Sequence, residues 1–247
     1  KNKDFCEIFG IHAVKAALLN PLRKHKELFI SRNKKHLLSQ KVTKLPNEIK
    51  ELDNKEMFKL FGNDSIHQGI VLRTSKLMQP SIEEIIDKSK EKKSDVILIL
   101  DHVTDQNNIG SIIRSCALFD CQSLIVAKDN APEINANIAK AASGALETVN
   151  YISVVNLART IIQLKKNDYW VYGCDSNAKN YEQIFNLPKK CVLVFGSEGK
   201  GLRNLTKKEC DELIAIPVKN QKKFNIDSLN VSNACSIALH NHYIKNK

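Results

Sequence analysis

The chain has 247 residues, 43% hydrophobic and 26% charged, enough to bury one large core or two smaller ones and too apolar for a disordered segment. Basic residues exceed acidic ones by 11, which favours a polyanionic partner, nucleic acid first, over an acidic or neutral one. No apolar run approaches the roughly 18 residues that a membrane helix needs, and no signal-peptide pattern opens the chain.

The charge is uneven. Through Lys93 there are 20 basic and 12 acidic residues, and the remainder has 18 and 15, so the excess sits in the smaller N-terminal part. Seven cysteines show no C-x-x-C pair, and no histidine spacing suits zinc. The sequence therefore predicts no metal site, and free thiols in a reducing compartment, the cytoplasm. Cys116, Cys121, Cys191 and Cys235 stand in apolar surroundings and read as core residues.

Residues 1–74 read as a small α/β unit. Helix-period apolar residues run over 8–19 and end at Asn20-Pro21. A short strand is expected at 27–31, a basic helix at 34–45, a strand at 48–51, a helix at 55–61 and a last strand at 69–73. His12 and His67 read as structural residues rather than catalytic ones. Residues 75–93, with Pro80, a short acidic helix around 82–86 and the charge run 88–93, have the composition of a solvated hinge.

From residue 94 strand and helix alternate. Strands are expected at 96–100, 123–127, 149–154, 170–174, 191–195 and 213–216. Helices should begin near Ile109, Asn135, Asn156, Tyr181, Thr206 and Asn230. The runs VILIL and VLVF are apolar at every position, as in strands covered on both faces. This alternation predicts an α/β domain over 94–247 with a mainly parallel sheet, and ligands at the carboxyl ends of its strands. The loops after Leu100, Phe195 and Ile216 are then the informative ones. The second holds three glycines in six positions, Gly196 to Gly201, where backbone can approach a ligand closely.

Those loops carry N-I-G-S-I-I-R (Asn108, Gly110, Arg114), F-G-S-E-G-K-G from Phe195, I-P at Ile216, and S-L-N-V-S-N-A from Ser228. In this order the set resembles the three motifs of the SpoU family of RNA ribose 2′-O-methyltransferases, in the SPOUT (trefoil-knot) superfamily. F-G-I-H-A-V at Phe9 and H-Q-G-I at His67 extend the likeness to the subgroup that methylates a guanosine in the peptidyl-transferase region of bacterial 23S rRNA. The resemblance implies a C-terminal trefoil knot, S-adenosylmethionine as methyl donor, an RNA substrate recognised by residues 1–74, and a homodimer. In that dimer the C-terminal helix would pack on its copy through Val231, Ala234, Cys235 and Ala238.

By motif position, backbone groups of Gly196, Ile216 and Leu229 would hold the donor; plain core packing is the other reading of Ile216 and Leu229. Arg114, expected at a helix start, would grip an RNA phosphate in a two-bond fork and stabilise the 2′-alkoxide. A guanidinium is a poor proton acceptor, so the acceptor is left open. Asn108 would bond ribose or Arg114, or serve as a helix N-cap. Glu198 would position Arg114 or the substrate, and Ser228 and Asn230 complete the cluster. The family usually has a short glycine-containing spacer between I-P and S-L-N. Here the spacer is VKNQKKFNID, whose Lys219, Lys222 and Lys223 are expected to touch substrate phosphate.

Two enzyme classes fit worse. A dinucleotide-binding G-x-G-x-x-G should follow the first strand, with an acidic residue about 20 positions on, whereas the glycine turn here is late and spaced G-x-x-G-x-G. A P-loop needs Ser or Thr after Gly-Lys, and Gly201 stands there. A tRNA 2′-O-methyltransferase and a catalytically silent RNA-binding or ribosome-assembly protein remain as alternatives.

Overall fold

In a computed structural model of the chain, the described residues are 4–38, 45–46, 48–61, 67–219 and 228–247. Their elements begin with β1 (Phe5–Phe9), α1 (Ile11–Leu19), β2 (His25–Ser31), a 3-10 stretch (Arg32–Leu38), β3 (Glu48–Leu52), α2 (Asn54–Phe61) and β4 (Ile70–Ser75). Then come α3 (Ile82–Ser89), β5 (Asp95–Asp101), α4 (Gln106–Leu118), β6 (Ser123–Ala127), α5 (Ala136–Ala142), β7 (Asn150–Val154), α6 (Leu157–Lys165) and β8 (Trp170–Cys174). The last are β9 (Lys190–Gly196), α7 (Asn204–Glu209), β10 (Glu212–Ile214) and α8 (Val231–Asn246). Contacts divide the chain into two units: Lys1–Met78 with Glu133–Glu147, and Gln79–Pro132 with Thr148–Lys247.

The first unit is a four-stranded sheet in the order β1-β4-β2-β3, with β4 antiparallel to both neighbours and β2 parallel to β3. One face packs Phe9, Phe29 and Val71 on Met57 and Phe61 of α2, with the Phe29 and Phe61 rings edge to face at 5.0 Å. His67 lies against Phe9, Phe58 and Phe61 and accepts the Gly69 N–H on Nδ1 at 3.0 Å, a structural position; His12 is exposed.

Two expectations for this unit need correcting. The apolar stretch at 8–19 is not one helix: it opens as the end of β1, and Gly10 at φ 90° turns the chain before α1 starts at Ile11. Few residues other than glycine adopt that conformation. The basic stretch from Lys34 is not an α-helix over its first residues but 3-10 over Arg32–Leu38, and 39–44 lie outside the described residues.

Arg23 holds the excursion Glu133–Glu147 to this sheet. It is buried, and its Nε and Nη2 donate to the Glu147 carboxylate at 2.8 Å each while Nη1 donates to the Ser75 carbonyl at 2.6 Å. Asn20 Nδ2 adds a third donor to Glu147 at 2.6 Å. Both side chains of the ion pair are nearly inaccessible, so removing one strands the other in a poor solvent.

The second unit is a six-stranded, wholly parallel sheet in the order β10-β8-β9-β5-β6-β7. Every residue of β5 is buried. The expected strands recur with ends shifted by a residue or two, because an apolar run marks a strand's middle better than its ends. The helix expected from Tyr181 is only a 3-10 turn, Gln183–Phe185. Nor is the stretch before residue 94 solvated throughout. Ser81 and Glu84 form a reciprocal capping box, and Ile82, Ile85 and Ile86 of α3 join the core with Ile97 and Ile99. Cys116, Cys121, Cys191 and Cys235 are buried as the sequence indicates.

Helix α8 buries Val231, Cys235, Ala238, Leu239 and His242 within its own unit, so three of the four residues expected to meet a second copy are already covered, and the fourth, Ala234, is half-buried in the wall of a cleft. Among the described residues no helix is long and apolar enough to cross a membrane. For the first unit the Arg23 pair gives a direct test. Arg23→Ala should lower stability by about 3–5 kcal/mol, because it leaves a buried carboxylate unpaired, whereas joint replacement by Met and Leu should recover most of that loss. Urea denaturation midpoints of the two variants measure both.

Candidate active site

Strands β5 and β9 are neighbours, and Asp101 pairs with Gly196 at their carboxyl ends. The loops that follow them are therefore adjacent. The glycine turn doubles back on itself, with Gly201 N–H donating to the Ser197 carbonyl at 2.9 Å. A Cβ added to Gly196 would lie 2.1 Å from the Gly201 carbonyl carbon and 2.3 Å from Leu202 N, so only glycine fits there. Asp101, fully buried, fixes the far leg of the turn: its carboxylate accepts Arg203 N–H at 3.0 Å and Arg203 Nε at 2.7 Å. Leu202 anchors the same leg in the core.

The turn thus presents Glu198 outward, and three distant segments meet on it. Its Oε1 accepts Asn108 Nδ2 at 3.1 Å and Asn230 Nδ2 at 2.8 Å, with Val231 N–H at 3.5 Å. Asn230 Nδ2 also donates to Asn108 Oδ1 at 3.0 Å. Asn230 is at once the N-cap of α8, its Oδ1 accepting Ser232 N–H at 3.0 Å and Ser232 Oγ at 2.6 Å. The carboxylate therefore sits at the start of a 16-residue helix, whose N-terminal partial charge favours an anion.

A cleft of about 560 Å³ opens beside this cluster, within the range of small-molecule sites. Gly196, Glu198, Ile216, Ser228, Leu229 and Asn230 all line it. Ile216 and Leu229 are only partly buried, which places them in the cleft wall and not in the core. Sequence reasoning missed the opposite wall, which runs from Cys174 to Asn177 after β8 and includes Lys207. Burial alone would raise the Asp175 carboxyl, but Lys207, 2.5 Å away, and the Asn177 N–H hold it below its usual range. Desolvation pushes the Cys174 thiol well up, so it is no nucleophile. The missed signals were the aspartates that end the apolar strand runs, at Asp101 and Asp175.

Arg114 is placed differently from its expectation. Helix α4 begins at Gln106, capped by Asp105, whose carboxylate accepts the Asn108 N–H at 2.8 Å. Asn108 is thus inside the helix and is not its cap. Arg114 is the ninth of thirteen residues, about 9 Å along the axis from Asn108, and the helix N-terminus lends it nothing. It is exposed, and Glu198 takes the two asparagines as partners instead. Of the spacer lysines, Lys219 is exposed, while Lys222 and Lys223 lie outside the described residues.

With this geometry in hand, comparison with known proteins is informative. Residues 95–240 match the SpoU rRNA Methylase family, and residues 8–80 match the RNA 2′-O ribose methyltransferase substrate binding family. The chain is 36% identical over 236 residues to the 23S rRNA (guanosine-2′-O-)-methyltransferase RlmB of Salmonella typhimurium, covering 94% of this chain and 95% of that protein. Identity to the protein of the same name from Escherichia coli K12 is 35% over the same shares. In fold it is similar to the SpoU methyltransferase AviRb of Streptomyces viridochromogenes in complex with AdoMet (TM-score 0.78, 18% identity, 97% and 89% of the two chains). It is also similar to an AdoMet-bound rRNA methyltransferase from Sinorhizobium meliloti (TM-score 0.76, 20% identity, 98% and 88%). Motifs, parallel sheet and full-length relatives agree: the chain belongs to the SpoU rRNA methylase family.

Proposed function

We propose that the chain transfers a methyl group from S-adenosylmethionine to the ribose 2′-hydroxyl of a guanosine in 23S rRNA. The observation that carries this reading is the Asn108–Glu198–Asn230 cluster at the edge of a cleft beyond the carboxyl ends of β5 and β9. Full-length likeness to 23S rRNA guanosine methyltransferases supports the substrate.

The cleft suits the donor: glycine backbone on one side, Ile216, Leu229 and Val231 as apolar wall, and Asp175 and Ser176 as polar groups. When bound, S-adenosylmethionine supplies an electrophilic methyl on sulfur. Gly196, Ile216 and Leu229 would hold it through backbone groups, with Asn230 beside its methionine moiety and Ser228 completing the cluster. Glu198, fixed by two amides, orients the acceptor ribose, and Arg114 neutralises phosphate and the developing alkoxide. Residues 1–74 recognise the RNA and 94–247 carry the chemistry. The trefoil knot belongs to the same reading, supported by β9 lying between β8 and β5 although it follows both in the chain. The seven unbridged cysteines support action in the cytoplasm.

We further read the protein as a homodimer, built on a different surface from the covered face of α8. Ser115 and Ser236 bond α4 to α8 at 2.7 Å, and Leu118, Ile237 and Ile244 of this helix pair stand exposed, an apolar set suited to a second copy.

Incubating the protein with S-adenosylmethionine and unmodified 23S rRNA should block reverse transcription at one guanosine; methylation of tRNA alone would replace this substrate. Arg114→Ala should lower turnover by roughly two to three orders of magnitude, with donor affinity and melting temperature unchanged, since the side chain supports no neighbour; Arg114→Lys should rescue only part. Light scattering at micromolar concentration should give twice the chain mass, and Ile237→Glu with Ile244→Glu should halve it.

A further inference from the structure

A second, smaller cleft of about 270 Å³ opens at the same glycine turn; Ser197, Lys200 and Gly201 line both clefts, whereas His102, Arg203 and Asn204 line the smaller one alone. His102, Lys200 and Arg203 line it, together with Ser197 and Asn204. The Asp101 carboxylate beside it is buried and already taken by Arg203. Lys200 is exposed and makes no ion pair among the described residues, and Arg203 remains 46% exposed outside its bond to Asp101. His102 is held at φ 63°, a conformation uncommon for a side chain of this size, and its buried Nε2 has no hydrogen-bond partner among the described residues. The fold thus spends backbone strain to keep an unsatisfied imidazole beside two cations, while Glu198 of the same turn is engaged by Asn108 and Asn230.

We propose that this cleft binds a backbone phosphate of the RNA strand, next to the nucleotide presented to Glu198. A phosphate oxygen would accept from the Lys200 ammonium and, once the ring turns outward, from the buried His102 Nε2, while Arg203 adds charge from a position that Asp101 fixes. The chain as a whole carries an excess of 11 basic residues, most of it through Lys93, which suits a polyanionic partner. The inference rests on the RNA-methylating reading and adds to it a contact that positions the strand at the glycine turn.

The test uses the full chain, with Lys200→Gln and His102→Asn made singly; asparagine tolerates the left-handed backbone that His102 adopts. Binding of 23S rRNA and of single-stranded polyuridine is measured against salt, and S-adenosylmethionine affinity by calorimetry. Lys200→Gln should flatten the slope of log K against log salt by about 0.7, the share of one single-strand phosphate contact. His102→Asn should weaken RNA binding with a smaller change in slope and leave donor affinity unmoved; Lys200 also lines the donor cleft, so donor affinity is read on His102→Asn. Unchanged RNA binding in both variants overturns the proposal, as does a loss confined to S-adenosylmethionine affinity, which would give the cleft to the donor. A wild-type chain that binds neither RNA overturns the cleft and the proposed substrate together. Altered slopes in a chain that transfers no methyl would leave the cleft standing and remove the proposed function.

Discussion

The carboxylate of Asp101 is the constraint on which the site depends. It ends the central buried strand, lies beside Gly196 across the sheet, and grips Arg203 on the return leg of the glycine turn. A turn with three glycines has little conformational preference of its own. Here both its ends are fixed, one by sheet pairing and one by a buried, charge-assisted bond beside the core residue Leu202, so the loop that carries Glu198 is held in place. Preorganisation of this kind is what an active site requires of a flexible sequence.

That fixed turn also explains why three polar residues far apart in the chain can act as one group. Asn108 and Glu198 are 90 positions apart, and Asn108 and Asn230 are 122 apart. Each belongs to a different element: the first turn of α4, the glycine loop, and the cap of α8. Asn230 is bound twice, once to its own helix and once to the cluster, so the demands of capping and of the site are met by the same amide. The reading of an Asn at a helix entrance as a cap holds here, and the same side chain also bonds Asn108 and Glu198.

The C-terminal sheet was legible because its two central strands carry the runs VILIL and VLVF, apolar at every position, which leaves little ambiguity about what is covered. Beta-alpha alternation then led to the right loops. Where the pattern was weaker, local reading failed for identifiable reasons. Phe5–Phe9 alternates and runs into Gly10, so its last apolar residues merged with the helix that follows. Asp105 outcompeted Asn108 as a cap, which moved the helix start and left Arg114 mid-helix. Val231, Cys235 and Ala238 form a proper helix face, but periodicity does not say whether such a face turns inward or toward another molecule. The meeting of Asn108, Glu198 and Asn230 was foreseen only through the motif resemblance, since no local pattern encodes contacts over such separations.

The excursion Glu133–Glu147 has a consequence for the order in which the chain can fold. The first unit is complete only when Glu147 is available to Arg23 and Asn20, and by then β5 and β6 of the second unit have already been synthesised. Emergence from the ribosome and completion of a unit are therefore out of step: the N-terminal sheet waits, with a buried arginine unpaired, for a segment that begins more than half-way along the chain. Domains usually fold as they appear, N-terminal first. This chain must instead settle its first unit while its second is half built.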